Sequence, residues 1–276
     1  MISVTSLSYR TRLARLSGAL AFLLASASPS LAQGKPRASS TTTTPAPSGA
    51  AAFESAMKGL YPADKPGATV IVVKDGKTVF RQAYGMADLE LGVPMKPEMV
   101  LRLGSITKQF TATAILMLAE EGKLSLQDPI EKYLPGYPTH DKVITIEHLL
   151  THTSGIQSYT AIPGWMTSRI IVPMKPLELI DGFKNAPMTF DPGEKYLYNN
   201  SGFILLGAII EKVSGMPYAE FVEGRIFKPL GMTSSYYGDT ERIIKNRVPG
   251  YTDDDQVVKN MAYLSMTQPY SAGSLL

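Results

Sequence analysis

The sequence has no cysteine, a single tryptophan and only three histidines among its 276 residues. Each shortage removes a class of chemistry. Without cysteine there is no thiol nucleophile, no thiolate metal site and no disulfide framework. The histidines fall at 140, 148 and 152, and none belongs to the paired-histidine-plus-glutamate pattern of a helical zinc site, so no metal or other cofactor is expected. Charge is also scarce in excess. The formal net charge is +3, but residues 1–32 hold three Arg and no acid, which leaves 24 basic against 24 acidic residues in the remainder. No basic block with interleaved aromatics survives, so nucleic acid is not an expected partner.

Long apolar runs are missing too. "LSGALAFLLASA" is too short to span a bilayer comfortably, and it follows Arg10, Arg12 and Arg15 and precedes Ser30 and Ala32. This pattern predicts a signal peptide over 1–32, cleaved after Ala32, and hence a periplasmic or secreted protein. No cysteine follows to carry a lipid, so a soluble exported protein with no stable membrane span after cleavage is expected, with an uncleaved anchor as the alternative. The later run "FILLGAII" is about a third of a span and reads as a buried helix.

Residues 33–52 are Ser, Thr and Pro with little to bury, a composition that predicts a linker. A single domain is expected over 53–276. "AAFESAMKGL" predicts a short amphipathic helix with Phe53, Met57 and Leu60 on one face. "ATVIVV" and "TVFRQAYG" flank Asp75-Gly76 and predict a hairpin, which needs a larger sheet to be stable. Further helices are predicted over 105–121, 145–150, 201–213 and 217–227, and no strong three-strand set follows residue 123.

Two Ser-x-x-Lys pairs then compete. Ser55 and Lys58 lie in the first helix; Ser105 and Lys108 open the second, ahead of an apolar stripe at Ile106, Phe110, Ala114, Met117 and Leu118. At a helix start, positions i and i+3 share a face, and the free N–H groups there suit developing negative charge. A serine hydroxyl needs a base, and a lysine serves only when burial or a neighbouring cation lowers its pKa. Ser105 as a helix cap with Lys108 in solvent is the plainer alternative. "YNN" at 198–200, directly before a buried helix, brings a phenol and a carboxamide that suit proton transfer and lysine contact, although capping alone also accounts for them.

With "RLGSITKQFTA", "GKLSLQDPIEKYLPGYP", "ITIEHLLTHTSGI", "PGEKYLYNNSGFILLGAIIEKVSG", "FKPLGM" and "YSAGSLL", the chain from about Pro66 onward resembles the serine β-lactamases and penicillin-recognising enzymes. The likeness is greatest to the class C β-lactamases and to the esterases and D-aminopeptidases that share their fold. The resemblance implies an α+β, β-lactamase/transpeptidase-like fold, an antiparallel sheet flanked by helices with a mainly helical subdomain. It implies Ser105 as acylated nucleophile, Lys108 as its base, Tyr198 as proton shuttle and Asn200 as substrate and lysine contact. His152, in "THTSG", is expected to be a structural hydrogen-bonder rather than a triad base. Tyr159 and Trp165 fall where the family varies its substrate lining, with ordinary packing favoured.

One family signature is not found. After Tyr198 there is no Lys or His followed by a small residue and Gly; Lys74-Asp75-Gly76 reads as a turn. The strands that carry that signature are missing as well, so a C-terminally truncated chain with an open hydrophobic sheet face is expected. The expected activity is acyl-enzyme formation on an amide or ester carbonyl of a β-lactam, a D-alanyl peptide, a small ester or a peptidoglycan-like molecule. The alternatives are a non-catalytic binding protein of the same fold and an inactive fragment. Oligomeric state is left open.

Overall fold

A computed structural model describes residues 49–254 and 257–276. The leader expected over 1–32 and most of the linker expected over 33–52 lie outside the described residues. The linker's last four positions do not: helix α1 spans Gly49–Leu60, starting two residues before the expected "AAFESAMKGL". The sequence reads 53–276 as one domain; contacts among the described residues gather into two compact units that divide after Pro97.

In the first unit, α1 sets Phe53 edge-on against Phe80, with ring centroids 5.1 Å apart, and buries Met57, while Leu60 is exposed rather than on the packed face. Strands β1 (Ala68–Lys74) and β2 (Lys77–Tyr84) form the expected antiparallel hairpin, in register from Ala68 opposite Tyr84 to Lys74 opposite Lys77 with a bulge at Val72/Val73. Asp75 and Gly76 take φ of 50° and 72°, the left-handed pair a tight hairpin turn requires. Lys74-Asp75-Gly76 is therefore a turn, as its sequence indicates. Ile71, Val73 and Val79 are each more than half exposed. Two short strands, β3 (Met86–Asp88) and β4 (Val93–Pro94), complete the unit.

The second unit is mainly helical, and its centre is α5 (Asn200–Ser214). Ser201 through Ile210 of this helix are all buried, so the helix is apolar on every side, as "FILLGAII" indicates and as a helix enclosed by others must be. Around it pack α2 (Thr107–Glu120), α3 (Ile146–Leu150), α4 (Pro176–Asp181), α6 (Tyr218–Val222) and the four-residue α7 (Tyr270–Gly273). From α2 come Ala114, Ile115 and Leu118, each with no exposed surface; burial of a side chain the size of Ile115 or Leu118 contributes ~1.5–3 kcal/mol. Ile106, expected in that stripe, is instead exposed. It belongs to a 3-10 turn, Gly104–Ile106, whose tighter winding carries it off the face of α2.

Strands β5 (Tyr251–Asp254) and β6 (Val257–Asn260) pair antiparallel and were not expected after residue 123. Their mostly exposed side chains supply no inward apolar alternation. The fold is thus α+β, with its sheet component as three two-stranded antiparallel ribbons among the described residues. No helix of the described residues is long and apolar enough to cross a membrane.

The last dozen residues are a structural wall. Leu275 accepts a backbone bond from Leu103, Leu276 exchanges two with Tyr236, and Ser274 accepts one from Gly238. Gly207 of α5 makes this approach possible: a Cβ there would lie 2.1 Å from the Ser271 hydroxyl and 2.5 Å from the Tyr270 ring. The close approach brings α7 against the 3-10 turn that carries Ser105 and against α2, whose first turn carries Lys108.

Candidate active site

Gly104 turns the chain into α2 with φ of 53°, a conformation that favours glycine, and Ser105 follows at the exposed start of a rigid helix. Ser105 is not the helix cap: Leu103 caps the 3-10 turn, Ile106 caps α2, and neither makes a side-chain capping bond. The Ser105 hydroxyl instead sits 3.1 Å from Lys108 Nζ and 2.5 Å from the Tyr198 hydroxyl. The N–H groups expected to be free at this helix start are partly engaged. Ile106 donates to the Leu103 carbonyl and Thr107 to the carbonyls of Gly104 and Ser105, because the tight turn closes i to i+3 bonds that a regular first turn leaves open.

Lys108 is not in solvent; only 7% of it is exposed. Its amine donates to Asn200 Oδ1 at 2.9 Å and to the Ala272 carbonyl at 2.8 Å, and faces Ser105 Oγ with its third position. It also lies over the rings of Tyr198 and Phe203, 4.8 and 5.5 Å from their centroids. There is no carboxylate among these partners. Burial therefore acts unopposed and lowers the Lys108 pKa to about 8. Carbonyl oxygens accept and never donate, so two of the amine's positions must be N–H. The third, aimed at Ser105, carries a proton in the ammonium and a lone pair in the neutral amine.

Of the "YNN" run, each residue has its own task. Tyr198 reaches Ser105. Asn199 is the helix cap: its Oδ1 accepts from Gly202 N–H at 2.8 Å and its Nδ2 donates to the Ile156 carbonyl. Asn200 turns its carboxamide to the lysine, and the amide is oriented by Thr160, whose Oγ1 accepts from Nδ2 at 3.1 Å. Ser158 accepts from the Asn200 backbone at 3.2 Å and lies 3.0 Å from the Thr160 hydroxyl. Capping and lysine contact both occur, at adjacent residues.

All four residues singled out from the sequence, Ser105, Lys108, Tyr198 and Asn200, thus meet in one cluster. Sequence reasoning did not find Ala272, which contributes a backbone carbonyl, nor Thr111, whose hydroxyl donates to the Ser271 carbonyl at 2.6 Å and holds that segment against α2. Ser158 and Thr160 were also missed, because they lie some 40 residues from Asn200 in the chain and nothing local in the sequence marks that contact. Tyr159 and Trp165 are core residues. Both are almost wholly buried, with Trp165 Nε1 donating to Gln268 Oε1 at 3.0 Å and the Tyr159 hydroxyl to the Gln268 carbonyl at 2.9 Å. His148 forms a capping box with Thr145 at the start of α3. A separate cleft of about 480 Å³, between Tyr133, Tyr137, Leu177, Ile180 and Lys212, holds none of the cluster residues.

Known proteins resemble this chain. The Beta-lactamase family profile matches residues 50–275. Penicillin-binding protein PbpX of Bacillus subtilis is 34% identical over 207 residues, 75% of this chain and 50% of that protein. Among solved structures, a D-stereospecific amidohydrolase from Streptomyces is 30% identical, with a TM-score of 0.69 over 82% of this chain and 68% of its own. A penicillin-binding protein homologue from Pyrococcus abyssi, described as octameric, is 34% identical, with a TM-score of 0.67 over 82% of this chain and 52% of its own. The chain spans half or less of the length of the first curated relatives it matches. Match and fold together place this chain in the Beta-lactamase family, with the β-lactamase/transpeptidase-like fold.

Proposed function

We propose that the protein is a serine hydrolase that acylates itself on Ser105. In the reacting form Lys108 is neutral, its two N–H groups engaged by Asn200 Oδ1 and the Ala272 carbonyl and its lone pair directed at the Ser105 hydroxyl. The Ser105 proton passes to Lys108 Nζ as Oγ bonds to the substrate carbonyl carbon. Collapse of the tetrahedral adduct breaks the bond to the leaving nitrogen or oxygen, which takes a proton from the Tyr198 hydroxyl and leaves a phenolate beside the Lys108 ammonium. In the second step that phenolate takes a proton from water as the water attacks the ester, and Ser105 Oγ leaves with the proton held on Lys108. With a pKa of about 8, roughly a tenth of Lys108 is neutral at pH 7, against less than a thousandth for a solvated lysine.

The observation that carries this reading is the pair of carbonyl acceptors on a buried lysine that has no acid beside it. The substrate class we infer is a carbonyl attached to a D-configured residue or held in a β-lactam ring; two relatives' names, penicillin-binding protein and D-stereospecific amidohydrolase, support it. Export through a leader at 1–32 is part of the same proposal and rests on the sequence alone. A fluorophosphonate probe and a fluorescent penicillin test the chemistry. The expected result is a covalent adduct on the peptide that contains Ser105, lost in Ser105→Ala and unchanged in Ser55→Ala. Labelling that persists in Ser105→Ala overturns the proposal.

A further inference from the structure

His152 is a titratable side chain beside the cluster to which the chemistry above gives no task. It follows α3 in the left-handed conformation, with φ of 60°, which is uncommon for a residue other than glycine and turns the ring toward the start of α5. Its two acceptors both take the same segment. The His152 carbonyl accepts from Leu197 N–H and its Nδ1 accepts from Asn199 N–H, each at 3.0 Å. The two bonds straddle Tyr198. Between them the imidazole lies against the phenol ring, with centroids 4.7 Å apart and a 38° tilt, and its surroundings are completed by Phe203 at 5.2 Å and Tyr196 at 5.8 Å.

We propose that His152 is a positioning residue for Tyr198 that also disarms the site in acid: neutral, it clamps the peptide on both sides of the phenol, and protonated, it releases the Asn199 side. This rests on the acyl-transfer reading of Ser105. An Nδ1 that accepts a hydrogen bond carries no proton, so the ring is the neutral tautomer with its hydrogen on Nε2. Protonation places a hydrogen on Nδ1 pointing at the Asn199 N–H, and the clamp opens on that side. The groups that face the ring are Lys108 from α2, the phenols of Tyr196 and Tyr198, and apolar Phe203 from α5; there is no carboxylate among them to favour a cation. Burial first, and Lys108 second, accordingly hold the His152 pKa below the ordinary histidine value, so the clamp stays closed near neutrality.

The two ionisations separate in a pH profile. The rate of fluorophosphonate labelling of the full chain is expected to fall tenfold per pH unit below about 8 as Lys108 is protonated, and to steepen to a hundredfold per unit in the acid range where His152 is protonated. His152→Asn keeps a short side-chain acceptor and tolerates positive φ, and it removes the second proton. Its profile is expected to keep a slope of one throughout, with a plateau about tenfold below the native protein. His152→Phe keeps the ring and loses the acceptor, and is expected to be slower than His152→Asn. A second slope that persists in His152→Asn, or a His152→Phe variant as fast as the native protein, overturns the inference. If the native protein is not labelled at all, the acyl-transfer reading fails on its own. The clamp is then read from imidazole nitrogen-15 spectra, where the Nε2–H tautomer is expected and an Nδ1–H tautomer overturns it.

Discussion

Two serine–lysine pairs with identical spacing sit at Ser55/Lys58 and Ser105/Lys108, and they share nothing else. Lys58 is 67% exposed on α1 and pairs with Glu54 at 2.8 Å, one helical turn away; that contact raises its pKa above the usual lysine value. Lys108 is buried, bonds only to neutral acceptors, and is lowered to about 8. Ser55 lies inside a helix in solvent, whereas Ser105 opens one and touches a phenol. The contrast teaches that spacing supplies the opportunity and solvation decides the chemistry. A lysine becomes a base when its surroundings favour the amine over the ammonium, and an acid beside it does the reverse.

The sharpest way to break this comparison is to keep the charge and remove the lone pair. Lys108→Arg, which stays protonated, is expected to lower the Ser105 labelling rate by about a hundredfold or more at pH 8, while Lys58→Arg leaves it unchanged. Next in size, Asn200→Asp gives Lys108 the kind of partner that Glu54 gives Lys58. The acid limb of the labelling profile is then expected to move upward by a pH unit or more, with about a tenfold loss at pH 7. Movement of the limb to lower pH contradicts the account.

Stability carries the same signature. The folded-state pKa of Lys108 is depressed from 10.5 to about 8, so the charged form is disfavoured by folding. The contribution that this group makes to stability is full above 10.5 and lost as pH falls through 8. Relative to Lys108→Met, the native protein is therefore expected to gain in melting temperature as pH rises from about 8 to 10.5, and thermal melts across that window check the sign. The smallest effect is expected at a distance. Gly207→Ala pushes Ser271 and Tyr270 away from α5 and with them the Ala272 carbonyl; it is expected to cost about 1–3 kcal/mol of stability and to raise the Lys108 pKa slightly as water enters.

How much of this was legible in the sequence follows from what kind of contact each residue makes. The helices of the second unit announce themselves through apolar spacing and end signals, such as the Gly215 stop with φ of 72° after α5. The hairpin was equally plain, because Asp75-Gly76 permits only a narrow choice of turn. Ser105, Lys108, Tyr198 and Asn200 could be named because each is recognisable by its own side-chain chemistry. Ala272 could not, since a backbone carbonyl looks alike at every position and only the close approach at Gly207 brings it to the lysine. The β5–β6 ribbon was missed for the opposite reason: its strands bury almost nothing, so no alternation is written into "YTDD" or "VVKN". His152 was read as a hydrogen-bonder, and it is one, but its grip on both sides of Tyr198 depends on a left-handed backbone that its residue type does not signal.

The account turns on one amine. Carbon-13 NMR of the lysine ε-methylenes, titrated from pH 6 to 11 in the native protein and in Lys108→Ala, measures it directly. A single lysine signal with a midpoint near 8 that disappears in the variant is the predicted result. A Lys108 signal that titrates with Lys58, at or above the ordinary lysine value, contradicts it.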